Sequence, residues 1–345
     1  MTNPPPPTPP QGEGEKTEMH KILVIQTASI GDVILATPVI EKLHRFYPEA
    51  RIDFLLKKGC EGLFKGHPFL NEVIAWDKKK KFSSFLPLLS EIRKKKYDVV
   101  VDIQRFALTG LLTAFSGSKS TIGFDKNPLS RFFSKKIGHE IREGIHEVNR
   151  NLSLIRDLTD DSFEKPQIYP TSGDVQKISM YKSGVYCTIA PASLWFTKQY
   201  PLDKWIEFIK HIPPETIIYF LGSDTDADLC EEILRSSGHS KSVNLAGKLT
   251  FLESAALMKD AGMNFTNDSA PMHLASAVNA PVTVIYCSTV PGFGFGPLSD
   301  SSYIVEVREF LYCRPCGLHG FKQCPEKHFR CATTISVEQL IEKLP

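Results

Sequence analysis

Short apolar runs alternate along this chain with longer stretches in which apolar residues recur every three or four positions. That is the pattern of strands and helices in a parallel sheet covered on both faces. In the front half the strand-like runs are Ile22 to Gln26, Arg51 to Leu56, Asn71 to Ala75, Tyr97 to Ile103 and Thr121 to Phe124. After the first of them, Val33, Ile34, Ala36, Ile40, Leu43 and Phe46 form a helical stripe, which predicts one helix over Val33 to Phe46 with Pro38 tolerated near its start. A break from Phe163 to Ser172, punctuated by Pro166 and Pro170, reads as a linker. The alternation then restarts, with strands expected at Val185 to Ala190, Thr216 to Leu221, Ser242 to Leu245, Met263 to Thr266 and Val282 to Tyr286. Helices should open near Leu202, Asp226, Thr250 and Ser269, and Ile335 to Leu344 should close the chain as an amphipathic helix capped by Ser336.

Two successive alternations in 345 residues predict two doubly wound domains, since roughly 100 to 200 residues make one core. The expected divisions are a Pro-rich disordered tail over 1–18, a first Rossmann-like domain over 19–165, a linker over 166–179 and a second Rossmann-like domain over 180–345. Ligands of open α/β sheets bind outside the carboxyl ends of the strands, so chemistry is expected in a cleft between the domains. Neither domain carries the Gly-x-Gly-x-x-Gly dinucleotide signature after its first strand.

Charge adds an asymmetry. The net charge is +2, but residues 1–150 hold 24 Lys and Arg against 17 Asp and Glu, so the front half is the better partner for an anion. Lys78 to Lys81 and Lys94 to Lys96 read equally as solvated faces. The tail lacks the basic start and apolar run of an export signal, and no stretch approaches the roughly 20 apolar residues that span a bilayer. A cytoplasmic protein is expected, with any membrane contact made from the surface. In that compartment the eight cysteines should be reduced.

Two strand-to-helix junctions concentrate the candidate chemistry. The first, Ile22 to Pro38, carries Ser29, Gly31 and Asp32 where the strand gives way to the helix. A carboxylate is electrostatically favoured there, and Asp32 or Ser29 equally reads as a helix cap. The second, Asn267 to Pro281, carries Asp268, Ser269 and His273 at a helix start whose amides could seat a diphosphate. Asp268 and Ser269 equally read as a capping pair, and His273 as a buried histidine.

The segments ASIGDVILATPVIEKLHRFYPEARIDFL and TNDSAPMHLASAVNAPVTVIY together resemble glycosyltransferase family 9, the heptosyltransferases, with the likeness running from about Lys21 onward. The resemblance implies a GT-B fold, with an acceptor-binding front domain and a donor-binding back domain. It also implies inverting transfer of heptose from ADP-heptose to a lipopolysaccharide core acceptor. On the matching positions, Asp32 would be the catalytic base and Lys198 would contact the donor diphosphate. Ser193 would lie in a phosphate loop, Asp224 near the nucleotide ribose, and Asp268, Ser269 and His273 on the donor-site helix. The family commonly has Gly where this chain has Ala270, which puts the detail of the phosphate loop in question.

No cofactor or metal is then required, because Asp224-Thr225-Asp226 reads as ribose contact and helix capping rather than as an Asp-x-Asp metal pair. The expected partners are a nucleotide sugar and an anionic glycolipid, with peripheral contact at the cytoplasmic membrane face and no nucleic acid. Ser29, Gly31, Lys57, Arg105 and Arg131 are the acceptor-side candidates. Cys313, Cys316, Cys324 and Cys331 could hold a structural zinc, remain free thiols or pair as disulfides, and their spacing matches no standard zinc ribbon. Transfer of another sugar and a noncatalytic nucleotide-sugar-binding protein are the alternative functions.

Overall fold

The computed structural model describes residues 19–344, so the expectation for the 1–18 tail lies outside the described residues. The front half runs β1 (Lys21–Gln26), α1 (Ile30–Ile34), α2 (Thr37–Phe46), β2 (Arg51–Lys57), β3 (Leu70–Trp76), α3 (Lys81–Lys95), β4 (Val99–Asp102), α4 (Ala107–Ala114), β5 (Ser120–Phe124), β6 (Lys135–Ile137) and α5 (Glu147–Ser153). The back half runs α6 (Ser172–Lys177), β7 (Tyr186–Ala190), α7 (Leu202–Ile209), β8 (Ile217–Phe220), α8 (Ala227–Ser237), β9 (Ser242–Asn244), α9 (Phe251–Lys259), β10 (Met263–Asn267), α10 (Ala270–Ala277), β11 (Val282–Tyr286), β12 (Ser302–Glu306), α11 (Arg330–Thr333) and α12 (Glu338–Ile341).

The strands form two six-stranded sheets, ordered β3-β2-β1-β4-β5-β6 and β12-β11-β10-β7-β8-β9. All pairings are parallel, and both sheets have the doubly wound order in which the chain starts in the middle and reverses direction once. The central strands are buried on both faces, as their largely apolar runs require: Ile22 to Ile25 and Val99 to Val101 in one sheet, Tyr186 to Ala190 and Val282 to Tyr286 in the other, where Thr188 and Thr283 are buried as well. Each fully buried Val, Leu or Ile among them contributes about 1.5–3 kcal/mol.

The stripe from Val33 to Phe46 is two helices rather than one. The chain breaks after Ile34 and restarts at Thr37 with Pro38 in the first turn, where its missing N–H costs nothing. The stretch 166–179 contains α6, whose N-cap Thr171 accepts from the Asp174 amide at 3.2 Å while the Asp174 carboxylate takes the Thr171 N–H at 2.8 Å. Thr250 and Glu253 make the same reciprocal cap on α9. At the C-terminus the helix is shorter than its apolar stripe, and Val337 rather than Ser336 is the N-cap residue.

One buried apolar cluster runs through both halves, from Ile22, Val33 and Leu35 to Met272, Ala275 and Ala277. Polar ties cross the same boundary. The Glu147 N–H donates to the Gly294 carbonyl at 2.7 Å, and Arg150 Nη2 to the Phe293 carbonyl at 3.1 Å. The two domains are therefore packed through α1, α2, α5 and α10, which fixes the junction after β1 against the junction after β10.

Candidate active site

Gln26 ends β1, and three residues later the chain enters α1 with Asp32 in its first turn. The Ser29 N–H and Oγ–H both donate to Asp32 Oδ2, at 3.1 and 2.5 Å. The capping role foreseen for this pair is thus present, and it holds the half-buried carboxylate by one oxygen, leaving Oδ1 without a hydrogen bond from the described residues. Gly31 beside it is buried against the other domain. A Cβ at Gly31 would stand 2.8 Å from His273 Cδ2, closer than side chains pack, so a glycine is required for the approach.

His273 is carried by α10, whose N-cap is Ser269. Burial holds its imidazole down at about 3, with His146 and Lys198 adding repulsion, so the ring is neutral and its Nδ1 has no hydrogen-bond partner. Lys198, in a short turn after β7, places Nζ 2.7 Å from Asp268 Oδ2, and the same oxygen accepts from Thr289 Oγ1 at 2.6 Å. Lys198 and Asp268 are 14% and 9% exposed, so the pair is shielded enough to hold its geometry. Both strand-to-helix junctions and the lysine turn therefore meet in one place, in the order Asp32, Gly31, His273, Lys198, Asp268.

The remaining candidates spread along the same sheet edges. Ser193 follows β7, half-buried, with its carbonyl accepting from Gln199 Nε2 at 2.7 Å. Asp224 is exposed after β8 and lies against Gly247, while Asp226 is taken up by its cap on Ser223. Ala270 is the first residue of α10 and is not among the residues of positive φ, so its methyl brings no backbone strain. On the front domain, Lys57 ends β2 close to Cys60, whose thiol is pushed up by burial and senses Lys57, Glu61 and Asp32. Arg105 follows β4 and sets Nη1 2.9 Å from His139 Nε2, with the His139 ring held down at about 4 by burial and by that guanidinium. Arg131 is exposed on the turn after β5, over the Phe132 ring at 4.7 Å, and the described contacts do not join it to Asp32.

The four clustered cysteines line one pocket of about 300 Å³ together with Thr197, Phe321 and His328. All are free thiols, and among the described residues no group of three or more His, Cys, Asp or Glu side chains could hold a metal ion. Burial, then the neighbouring thiols, pushes Cys331 up to about 12 and Cys316 in the same direction, so both are protonated at neutral pH. None of the four is paired in a disulfide in this arrangement. The segment does instead brace the lysine turn. The Phe321 N–H donates to Thr197 Oγ1 at 2.7 Å, the Cys316 N–H to the Ser288 carbonyl at 2.8 Å, and Gly320 lets the backbone pass where a Cβ would stand 3.1 Å from Lys198 Cγ.

Three positioning residues escaped the sequence reading. Asn267 accepts the Tyr200 N–H at 3.0 Å and donates to the Pro191 carbonyl at 2.6 Å, so it sets the loop bearing Ser193 and Lys198. Thr289 holds Asp268, and Arg314 donates to the Cys287 and Thr289 carbonyls at 2.8 Å each. Asn267 sits in the quoted motif and could have been flagged as a polar residue at the carboxyl end of a buried strand. Thr289 and Arg314 gave no local signal.

Two consequences can be measured. Gly31→Ala should destabilise the protein by about 1–3 kcal/mol through overpacking against His273. Denaturant unfolding of the single and double variants should show that cost vanishing in a His273→Ala background, and additive costs would refute the contact. His273 is held far below its unfolded value of about 6.5, so as pH falls the unfolded chain takes up a proton that the folded one refuses, and stability drops through that window. Between pH 7 and 5, His273→Gln should therefore lose about 2 kcal/mol less stability than the parent. Equal losses would mean that the ring protonates in the folded state.

A sequence model of glycosyltransferase family 9 (heptosyltransferase) matches residues 86–328. The chain is similar to lipopolysaccharide heptosyltransferase 3 of Escherichia coli, at 30% identity over 275 residues that cover 75% of this chain and 81% of that one. It is similar to lipopolysaccharide heptosyltransferase 1 of Campylobacter coli at 25% identity over 291 residues, covering 78% and 84%. Among solved structures, an ADP-heptose lps heptosyltransferase II of E. coli superposes with a TM-score of 0.78 at 20% identity, covering 94% of this chain and 97% of that chain. With the two parallel sheets this establishes the GT-B fold of two Rossmann-like domains.

Proposed function

The chain belongs to glycosyltransferase family 9, the heptosyltransferases, and from that premise we propose that it transfers a heptose from ADP-heptose to a lipopolysaccharide core acceptor, with inversion and without a metal ion. The observation that carries the reading is the meeting of the two domains at Gly31 and His273, which sets the half-buried Asp32 on one wall of the site and the Lys198–Asp268 pair on the other.

Inversion needs a base on one face of the anomeric carbon and the leaving group on the opposite face. Asp32 Oδ1 takes the proton of the acceptor hydroxyl as its oxygen bonds to the anomeric carbon, and the bond from that carbon to the diphosphate breaks. The Ser29 contacts on Oδ2 keep the carboxylate from turning away. ADP leaves with its negative charge met by Lys198 and by the amides that open α10 at Ser269, donors already aimed before the charge develops. Lys198 exchanges part of its contact with Asp268 for the diphosphate. In this scheme the exposed Asp224 takes the ribose. Asp226 is consumed by its cap, so the Asp-x-Asp run offers no paired carboxylates, and the cation this scheme supplies at the diphosphate is a lysine. The scheme assigns Ser193 to the donor wall and Lys57 and Arg105 to the acceptor wall, with the reaction on the cytoplasmic side.

The test is ADP release on incubating the protein with ADP-heptose and a core-lipid acceptor. Acceptor-dependent release supports the reading. Donor binding without turnover on any core acceptor points to a binding protein, and failure to bind ADP-heptose while another nucleotide sugar binds redirects the donor assignment.

A further inference from the structure

We propose that the front domain docks on an anionic lipid surface through α4. The segment Phe106 to Phe115 reads FALTGLLTAF and has no charged residue. A surface helix normally turns its apolar stripe inward and its polar residues to water. Here Leu112 is buried and Leu111 packs against the same core, but the rest of the segment departs from that pattern. Thr109 and Thr113 are fully buried, Thr113 Oγ1 donating to the Thr109 carbonyl at 2.9 Å, while Phe106, Leu108 and Phe115 are 64%, 42% and 50% exposed. Leu108 and Phe115 are seven residues apart and share a helix face. The turn after β5 is tied to this segment where Asn127 donates to the Phe106 carbonyl at 3.3 Å, and five residues further it exposes Phe132 at 54%.

The rim of this patch is mainly basic. Residues 103–136 contain six Lys and Arg against the single acid Asp125, and of the six Lys119 and Lys135 are paired with Asp98 and Asp157. Arg93 Nη1 donates to the Phe115 carbonyl at 3.0 Å, and the Arg131 guanidinium stands over Phe132. Exposed aromatic and aliphatic side chains ringed by cations fit the boundary between acyl chains and anionic headgroups. A second copy of the chain fits less well, because a two-fold contact would bring the same positive rims together. Among the described residues no helix is long and apolar enough to cross a membrane, so this attachment is peripheral. The patch opens directly after β4, the strand beside β1, on the sheet edge that carries Asp32. Docking there holds the base near a membrane-borne acceptor, and in this respect the inference deepens the proposed function.

Cosedimentation of the full chain with empty vesicles tests it, using phosphatidylcholine alone and phosphatidylcholine with phosphatidylglycerol. Binding should favour the anionic vesicles, weaken with salt and fall at least tenfold in the F106S/L108S/F115S variant with its melting temperature kept. If that variant fails to fold, K94E/K126E changes exposed Lys94 next to Arg93 and exposed Lys126 next to Asn127, leaves the apolar residues in place and should lose several-fold of the binding to anionic vesicles. Wild-type protein that ignores anionic vesicles overturns the proposal, as does a folded triple variant or a lysine variant that binds like wild type. Self-association in sedimentation velocity that the triple variant abolishes, without vesicle binding, identifies a second copy as the occupant and also overturns it. Empty vesicles hold neither donor nor acceptor, so this readout stands or falls separately from heptose transfer.

Discussion

Asp32→Asn is expected to lower the turnover of heptose transfer by about 10²–10⁴-fold, the range a positioned general base supplies. Asparagine is nearly the shape of aspartate and can still accept from Ser29 through its amide oxygen, so the cap seen at 3.1 and 2.5 Å should largely survive. What the variant loses is the oxygen that would take the acceptor proton. Steady-state turnover should therefore collapse while ADP affinity and melting temperature stay close to wild type. Turnover within about threefold of the parent would remove Asp32 from the role of base and leave it as the helix cap it also is.

Removing Lys198 should have a comparably large effect, but through two routes that must be separated. The first is chemical: losing a preorganised cation at the leaving diphosphate costs on the order of 10²–10³-fold in turnover. The second is structural. Lys198 neutralises Asp268, which is only 9% exposed, and breaking a buried pair by deleting one partner costs about 3–5 kcal/mol because the other charge is left uncompensated. Lys198→Met should therefore be both inactive and destabilised. Lys198→Met with Asp268→Asn removes both charges and should recover most of the lost stability, measured by denaturant unfolding, while transfer stays down by the full chemical factor. A double variant that recovers transfer along with stability would show that the lysine acts only by holding the fold together.

Much of the fold could be read from the residues because the central strands of a doubly wound sheet must be apolar on both faces. β1, β7, β10 and β11 fall within a residue of the apolar runs that predicted them. The edge strands β6 and β12 gave no such signal. They pair on one side only and are largely exposed, so Lys135, Lys136 and Glu306 are tolerated in them. The break between α1 and α2 was foreshadowed by Pro38, yet an unbroken apolar stripe on either side of it reads as one helix until the backbone is seen.

The site divides in the same way. The sequence by itself determined the two strand-to-helix junctions and the residue types on them, because local requirements select Gly, Asp, Ser and Asn where a strand meets a helix start. It also determined the charge asymmetry and the family likeness. Long-range packing alone decided that Gly31 lies against His273, that Lys198 pairs with Asp268 70 residues away, that Asn267, Thr289 and Arg314 hold these groups in place, and that the segment around α4 buries Thr109 and Thr113 while leaving Phe106, Leu108 and Phe115 exposed. Such contacts depend on how sheet edges and domains are brought together, which is set by long-range packing, and no local pattern of residues encodes which distant partner fills a given space.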